Sequence, residues 1–143
     1  MSLIVVGPPA SLSSFGMTKS GIQAWPGAGP ASWTSIVNWT PAAGSTVDGS
    51  HRLVIGGGGP GRTIAADAPF SGGTFNRTHQ IRLVDQSGNV LASSAVVSLN
   101  AGNCTIAPTM VDLTGVTAIL MQGAGTDSWC GDLQPTGCFL TVT

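Results

Sequence analysis

From residue 33 onward the chain carries short runs in which apolar and polar positions alternate with a period of two, the signature of strands with one buried face. In "WTSIVNW" Trp33, Val37 and Trp39 share one face, Thr34 and Asn38 the other, and Pro41 stops the run. "HRLVIG" sets Leu53 and Ile55 against Arg52, and "RTHQIRLV" turns Ile81 and Leu83 inward and Gln80 and Arg82 outward. The latter run joins "VLASSAVVSL" through Asp85-Gln86-Ser87-Gly88-Asn89, with an aspartate to open the turn and a glycine to supply its left-handed residue. "GVTAILMQG" is apolar on both parities, which predicts a central strand or one covered by a partner, and "CFLTVT" aligns Cys138, Leu140 and Val142 on one side. The pattern predicts an all-β, antiparallel β-sandwich of jelly-roll or immunoglobulin-like type with about seven or eight strands. The one helix-like scrap, "IAADA" at 64–68, ends at Pro69.

Residues 1–32 read differently. Pro8, Pro9, Gly16, Gly21, Pro26, Gly27, Gly29 and Pro30 break the segment into pieces too short for a periodic element. The expectation is an extended N-terminal arm over 1–32, with a strand at 2–6, ahead of a sandwich domain over 33–143. Leu3, Ile4, Val5, Phe15, Met17, Ile22 and Trp25 imply that the arm docks on something.

Composition sharpens this. Only 8 % of the 143 residues are charged, Lys19 is the sole lysine, and glutamate and tyrosine are absent, while glycine reaches 21. Strong helix formers are therefore scarce. Net charge is −1 with no basic cluster, which removes the electrostatic footprint of a nucleic-acid binder. So little charge is unusual for a free monomer, and it points to a surface covered by neighbours. The first residues lack the basic lead and long apolar core of a secretory signal, and no run reaches the roughly 20 apolar residues of a membrane span.

Candidate chemistry begins at "LVIGGGGPGRT", residues 53–63, which fits the phosphate-loop template GxxxxGK[ST] except that Arg62 replaces lysine. "IRLVD" at 81–85 could stand as the accompanying magnesium strand. A phosphate loop must open a helix, however, and Pro69 follows Thr63 too closely to allow one. The glycines then point instead to close approach of another chain, with Gly57, Gly58 and Gly59 as interface candidates beside Phe15, Ile22 and Trp25 of the arm.

Other sites fare no better. His51 and His79 sit at strand starts without a nucleophile elbow or metal-ligand spacing. The six aspartates lie in turn-like contexts, so neither a metal nor a cofactor is expected. Cys130 and Cys138 bracket a turn-rich stretch that would allow a disulfide, buried free thiols being the alternative for these two and Cys104. Trp33 and Trp39 are expected in the core. Trp129, in a Gly/Asp-rich loop, is the candidate ligand-facing aromatic.

The Ala/Gly/Pro/Thr-rich style with arginine preferred to lysine, the proline-broken "VVGPPASLSSFG", the hairpin "THQIRLVDQSGNVLAS" and the run "VDLTGVTAILMQ" resemble small structural proteins of tailed actinobacteriophages. The resemblance implies a non-enzymatic virion component made in the bacterial cytoplasm. It would be a minor tail (tail-tip) protein, or a capsid decoration protein as the alternative, partnered by copies of itself and other virion proteins. A carbohydrate-binding module for host attachment, using Trp129 and the 56–61 loop, is the reading from another class; nucleic acid and membrane insertion are not expected.

Overall fold

The computed structural model describes residues 13–26 and 29–143. Its elements are β1 (Phe15–Lys19), β2 (Gly29–Ser35), β3 (Trp39–Pro41), β4 (Thr46–Val47), β5 (Leu53–Val54), β6 (Arg62–Ser71), β7 (Arg77–Asp85), β8 (Val90–Ser93), β9 (Val97–Leu99), β10 (Gly102–Val111), β11 (Ala118–Gly125), β12 (Asp132–Leu133) and β13 (Phe139–Val142). One sheet runs β10-β6-β13-β1-β3, with β12 also on β6; the other runs β4-β5-β11-β7-β8, with β2 also on β11 and β9 on β7. All pairings are antiparallel, and the two sheets face each other as a β-sandwich.

The alternation read from the sequence builds the core. Ile64, Ala66, Ala68 and Phe70 point inward from β6, Leu140 and Val142 from β13, and Met17 from β1. They meet Leu53, Ile81, Leu83, Ile119 and Met121 of the second sheet. Each large aliphatic so buried contributes about 1.5–3 kcal/mol before its ordering cost. The 85–89 hairpin forms as expected: Asp85 Oδ1 accepts the N–H groups of Ser87 and Asn89, and Gly88 sits at φ 84°. The doubly apolar run becomes β11, flanked by β5 and β7 at the middle of its sheet.

Three expectations are corrected. The arm is not separate: its described part supplies β1, which lies between β13 and β3 inside the first sheet, and β2, which pairs with β11. The predicted strand at 2–6 lies outside the described residues. The helix-like "IAADA" is the middle of β6, because a partner strand on each side offers its backbone more than an isolated helical turn could. The described residues hold thirteen strand segments, since turns and bulges cut the longer runs; Ser94, whose Oγ accepts the Ile81 N–H, separates β8 from β9.

The edges are guarded. β3 is three residues long, and β10, the other edge of the first sheet, carries Pro108 within a register shift between Ile106 and Thr109. A short strand and a proline-bearing bulge both discourage the addition of a foreign strand.

Candidate functional site

The phosphate-loop resemblance dissolves in the backbone. Arg62 begins β6 directly, and its guanidinium donates from Nε to the Thr143 carbonyl (3.3 Å) and from Nη2 to the Ser13 carbonyl, with the Phe15 ring 5.8 Å away. Arg62 therefore ties the two ends of the described chain together rather than facing an anion. A cleft of about 360 Å3 beside it is lined by Ser13, Phe15, Ile55, Gly56, Gly57, Gly58 and Arg62.

The glycine loop makes its close approach to its own chain. Gly58 donates its N–H to Val116 O, Leu113 donates to Gly59 O, and a Cβ on Gly58 would lie 2.2 Å from the Leu113 carbonyl oxygen. Gly57 and Gly59 hold positive φ (106° and 147°), backbone that side chains rarely adopt. Of the remaining interface candidates, Phe15 is half-buried against the chain's own core, and Ile22 alone is well exposed, at 64 %.

Trp25 is corrected outright. It is 8 % exposed, donates its indole N–H to Ala124 O at 3.0 Å, and packs edge-on against Phe70 (5.4 Å) and His79 (4.8 Å). A pocket within its own sandwich fills the role expected of a neighbouring chain. Trp39 is buried as expected, whereas Trp33 is half-exposed with the Arg82 guanidinium 4.3 Å from its ring centroid.

His79 lies fully buried beneath one end of the sandwich, stacked on Phe70 with centroids 3.6 Å apart. Its Nδ1 pairs with the Arg77 carbonyl at 2.9 Å and its Nε2 accepts the Gly131 N–H at 3.1 Å, a pattern only the neutral ring satisfies at both nitrogens. Burial holds its pKa below the ordinary 6.5, opposed in part by the Arg77 carbonyl. The unfolded chain then binds a proton near pH 6.5 that the folded chain does not, so stability is full above that pH and falls as pH drops toward the folded value. Thermal melts should be flat above pH 7 and decline below about 6.5, with a slope approaching ~1.4 kcal/mol per pH unit. His79→Gln should lose that decline while keeping the further loss near pH 4, where the hydrogen-bonded Asp48, Asp85 and Asp112, all held below the usual 3.8, protonate. An unchanged decline in the variant would assign it to another group.

The cysteines are free thiols. The Cys130–Cys138 bridge that the sequence would allow does not form: Cys138 is buried on the inner side of the first sheet next to β1, whereas Cys130 directs its S–H at Thr78 O beneath the 126–131 loop. Burial pushes the Cys104 and Cys138 thiols up to about 12, so neither supplies a thiolate nucleophile near neutrality. Among the described residues no group of three His, Cys, Asp or Glu side chains is placed to hold a metal ion.

Exposed chemistry collects elsewhere, at the end of the sandwich where β6 finishes and β7 begins. There the 72–76 and 126–131 loops meet, with Thr74 N–H donating to Trp129 O, and the 99–101 turn closes against them through Gly73 N–H to Asn100 O. Trp129 (54 % exposed) and Phe75 (58 %) stand on these loops, with Leu99 at their side. Arg77 lies 5.3 Å from the Phe75 centroid, and Asp127 places its Oδ2 3.2 Å from Arg77 Nε while its Oδ1 accepts the Trp129 backbone N–H. Trp129, expected to face a ligand, stands exposed on its loop; Asp127, two residues before it, read only as a turn aspartate, and Phe75 and Arg77 were not legible, because only the fold brings them to this end. The expected partnership of Trp129 with the 56–61 loop fails: the glycine loop precedes β6 and the Trp129 end follows it, ten residues or about 30 Å away.

No protein-family model matches the chain, and no curated protein matches it. Among solved structures it is similar to murine APRIL (crystal structure at pH 8.0), with a TM-score of 0.59 at 16 % identity over 90 % of this chain and 95 % of that one. It is also similar to Eiger TNF from S. frugiperda, with a TM-score of 0.53 at 12 % identity over 90 % and 89 %. The shared feature is the fold alone, a jelly-roll β-sandwich.

Proposed function

We propose that this chain is a non-enzymatic structural subunit of a bacteriophage virion, a minor tail protein that assembles with copies of itself and other virion proteins through its sheet surfaces. The outer face of the first sheet carries the argument. Thr18, Thr40, Thr63, Ala65, Pro69, Thr105, Phe139 and Thr141 face outward there; of its two charges, Asp67 is engaged by Thr105 Oγ1 at 2.8 Å and Asp132 lies at the β12 end. A free monomer ordinarily spreads lysine and glutamate over such a face to stay soluble. A broad, flat, nearly uncharged sheet suits burial against another subunit, where every unpaired charge would cost desolvation. The phage-protein style of the sequence supplies the setting.

Ala65→Lys with Thr141→Lys places two cations at paired positions on this face, outside the core. Melting should shift only modestly, the two like charges directly opposite one another costing about 1 kcal/mol at most. Self-association in sedimentation velocity and incorporation into purified virions should both be lost. A double variant that still assembles like the parent removes the face from the interface, and immunogold labelling of particles separates tail from head decoration.

A further inference from the structure

We propose that the Trp129–Phe75 end of the sandwich is a saccharide-binding site, in which the two exposed rings stack on sugar faces and the Arg77–Asp127 pair holds the hydroxyls between them. The inference stands apart from the assembly proposal, since it concerns the loop end and not the sheet face. The exposed large apolar side chains are unevenly placed: Ile22, Phe75, Leu99 and Trp129 lie toward this end, Val96 beside the middle of β7, and Val90 and Met110 toward the other. Large aromatics left half-exposed at one loop cluster mark a binding surface more readily than scattered aliphatics do.

The occupant follows from the charged pair that accompanies the rings. A protein partner covering Trp129 and Phe75 would have to desolvate the Arg77–Asp127 pair, a cost that its own apolar surface does not return. A sugar pairs apolar C–H faces with hydroxyls that both donate and accept. Asp127 offers acceptors, and the partly exposed guanidinium of Arg77 offers donors beyond the buried Nε that faces Asp127. Arg77 and Asp127 offset one another and Asp132 beside the loop adds a negative charge, which disfavours an acidic sugar and leaves a neutral one as the fit.

The platform is already ordered. Gly131 is packed so closely that a Cβ there would lie 2.9 Å from Ser71 O and 3.1 Å from Asn100 O, and its N–H is held by buried His79. Cys130 Sγ reaches Thr78 O, and Thr126 Oγ1 accepts the Thr78 N–H at 2.9 Å. The 126–131 loop is thereby fixed to β7, and binding need not spend its gain on ordering that loop.

The test is a glycan array spanning neutral, acidic and bacterial cell-envelope saccharides, with tryptophan fluorescence titration of each positive glycan. Binding is expected, weakened about tenfold or more by Trp129→Ala and by Phe75→Ala and held within about threefold by Trp129→Phe, which keeps a ring. Circular dichroism and melting should stay unchanged in all three, as both side chains are exposed. An array without signal overturns the proposal, as does binding that survives the double alanine variant. A Trp129→Ala protein whose sedimentation shows lost self-association assigns this end to a second copy and overturns it too. The double-lysine variant of the first sheet should retain full glycan binding, which separates failure here from failure of the assembly proposal.

Discussion

Gly58→Ala should destabilise the fold by about 3 kcal/mol or more, the upper range for overpacking against an immovable wall. The new Cβ would sit 2.2 Å from the Leu113 carbonyl oxygen and 2.3 Å from its Cβ. Leu113 cannot retreat: its side chain is fully buried, its N–H is bound to Gly59 O, and its carbonyl accepts the Val116 N–H. Relief therefore requires the 112–116 turn and the glycine loop to part, which breaks the Gly58 to Val116 hydrogen bond as well. Gly57→Ala supplies the contrast. Nothing lies within 4 Å of its added Cβ, so only the positive φ is penalised, at about 1–2 kcal/mol. Urea unfolding of both variants checks the difference. Equal losses would mean that backbone strain rather than contact with Leu113 accounts for the glycines.

The same loop shows where sequence reasoning reaches and where it stops. Ile81 and Leu83 against Gln80 and Arg82, the Asp85–Asn89 turn, and Leu140 with Val142 were legible because period-two patterning and turn chemistry are local properties. Four glycines in a row were legible as a close approach. Their partner was not, since nothing near residue 58 names Leu113. β1 was missed for a related reason. Phe15–Lys19 is five residues between glycine- and serine-rich flanks, and its strand character comes from β13 at the far end of the chain, which it pairs from Phe15↔Val142 to Thr18↔Phe139. The candidate site divides in the same way. Trp129 shows itself by its loop, while Arg77 reads as the polar first residue of a strand until Asp127 is folded against it.

Trp25→Ala should cost about 3–5 kcal/mol of stability, the range for removing a large aromatic from a core. Read from Ala24-Trp25-Pro26 alone, the residue looks like an anchor for a neighbouring chain, and its removal would then weaken association while leaving the fold untouched. The structure inverts that expectation. The indole packs edge-on against the stacked pair of Phe70 from the first sheet and His79 from the second, so it touches both layers at the end that carries the 126–131 loop. Its loss leaves a cavity there and removes the N–H donor to Ala124 O. Trp25→Phe should recover most of the packing and lack only that hydrogen bond, worth about 1 kcal/mol. Because His79 holds Gly131, the cavity should also loosen the loop bearing Trp129, so hydrogen exchange at Gly131 should rise in Trp25→Ala before global unfolding. A Trp25→Ala protein with parental urea midpoint and reduced self-association would return Trp25 to the interface and refute its place as the brace between the sheets.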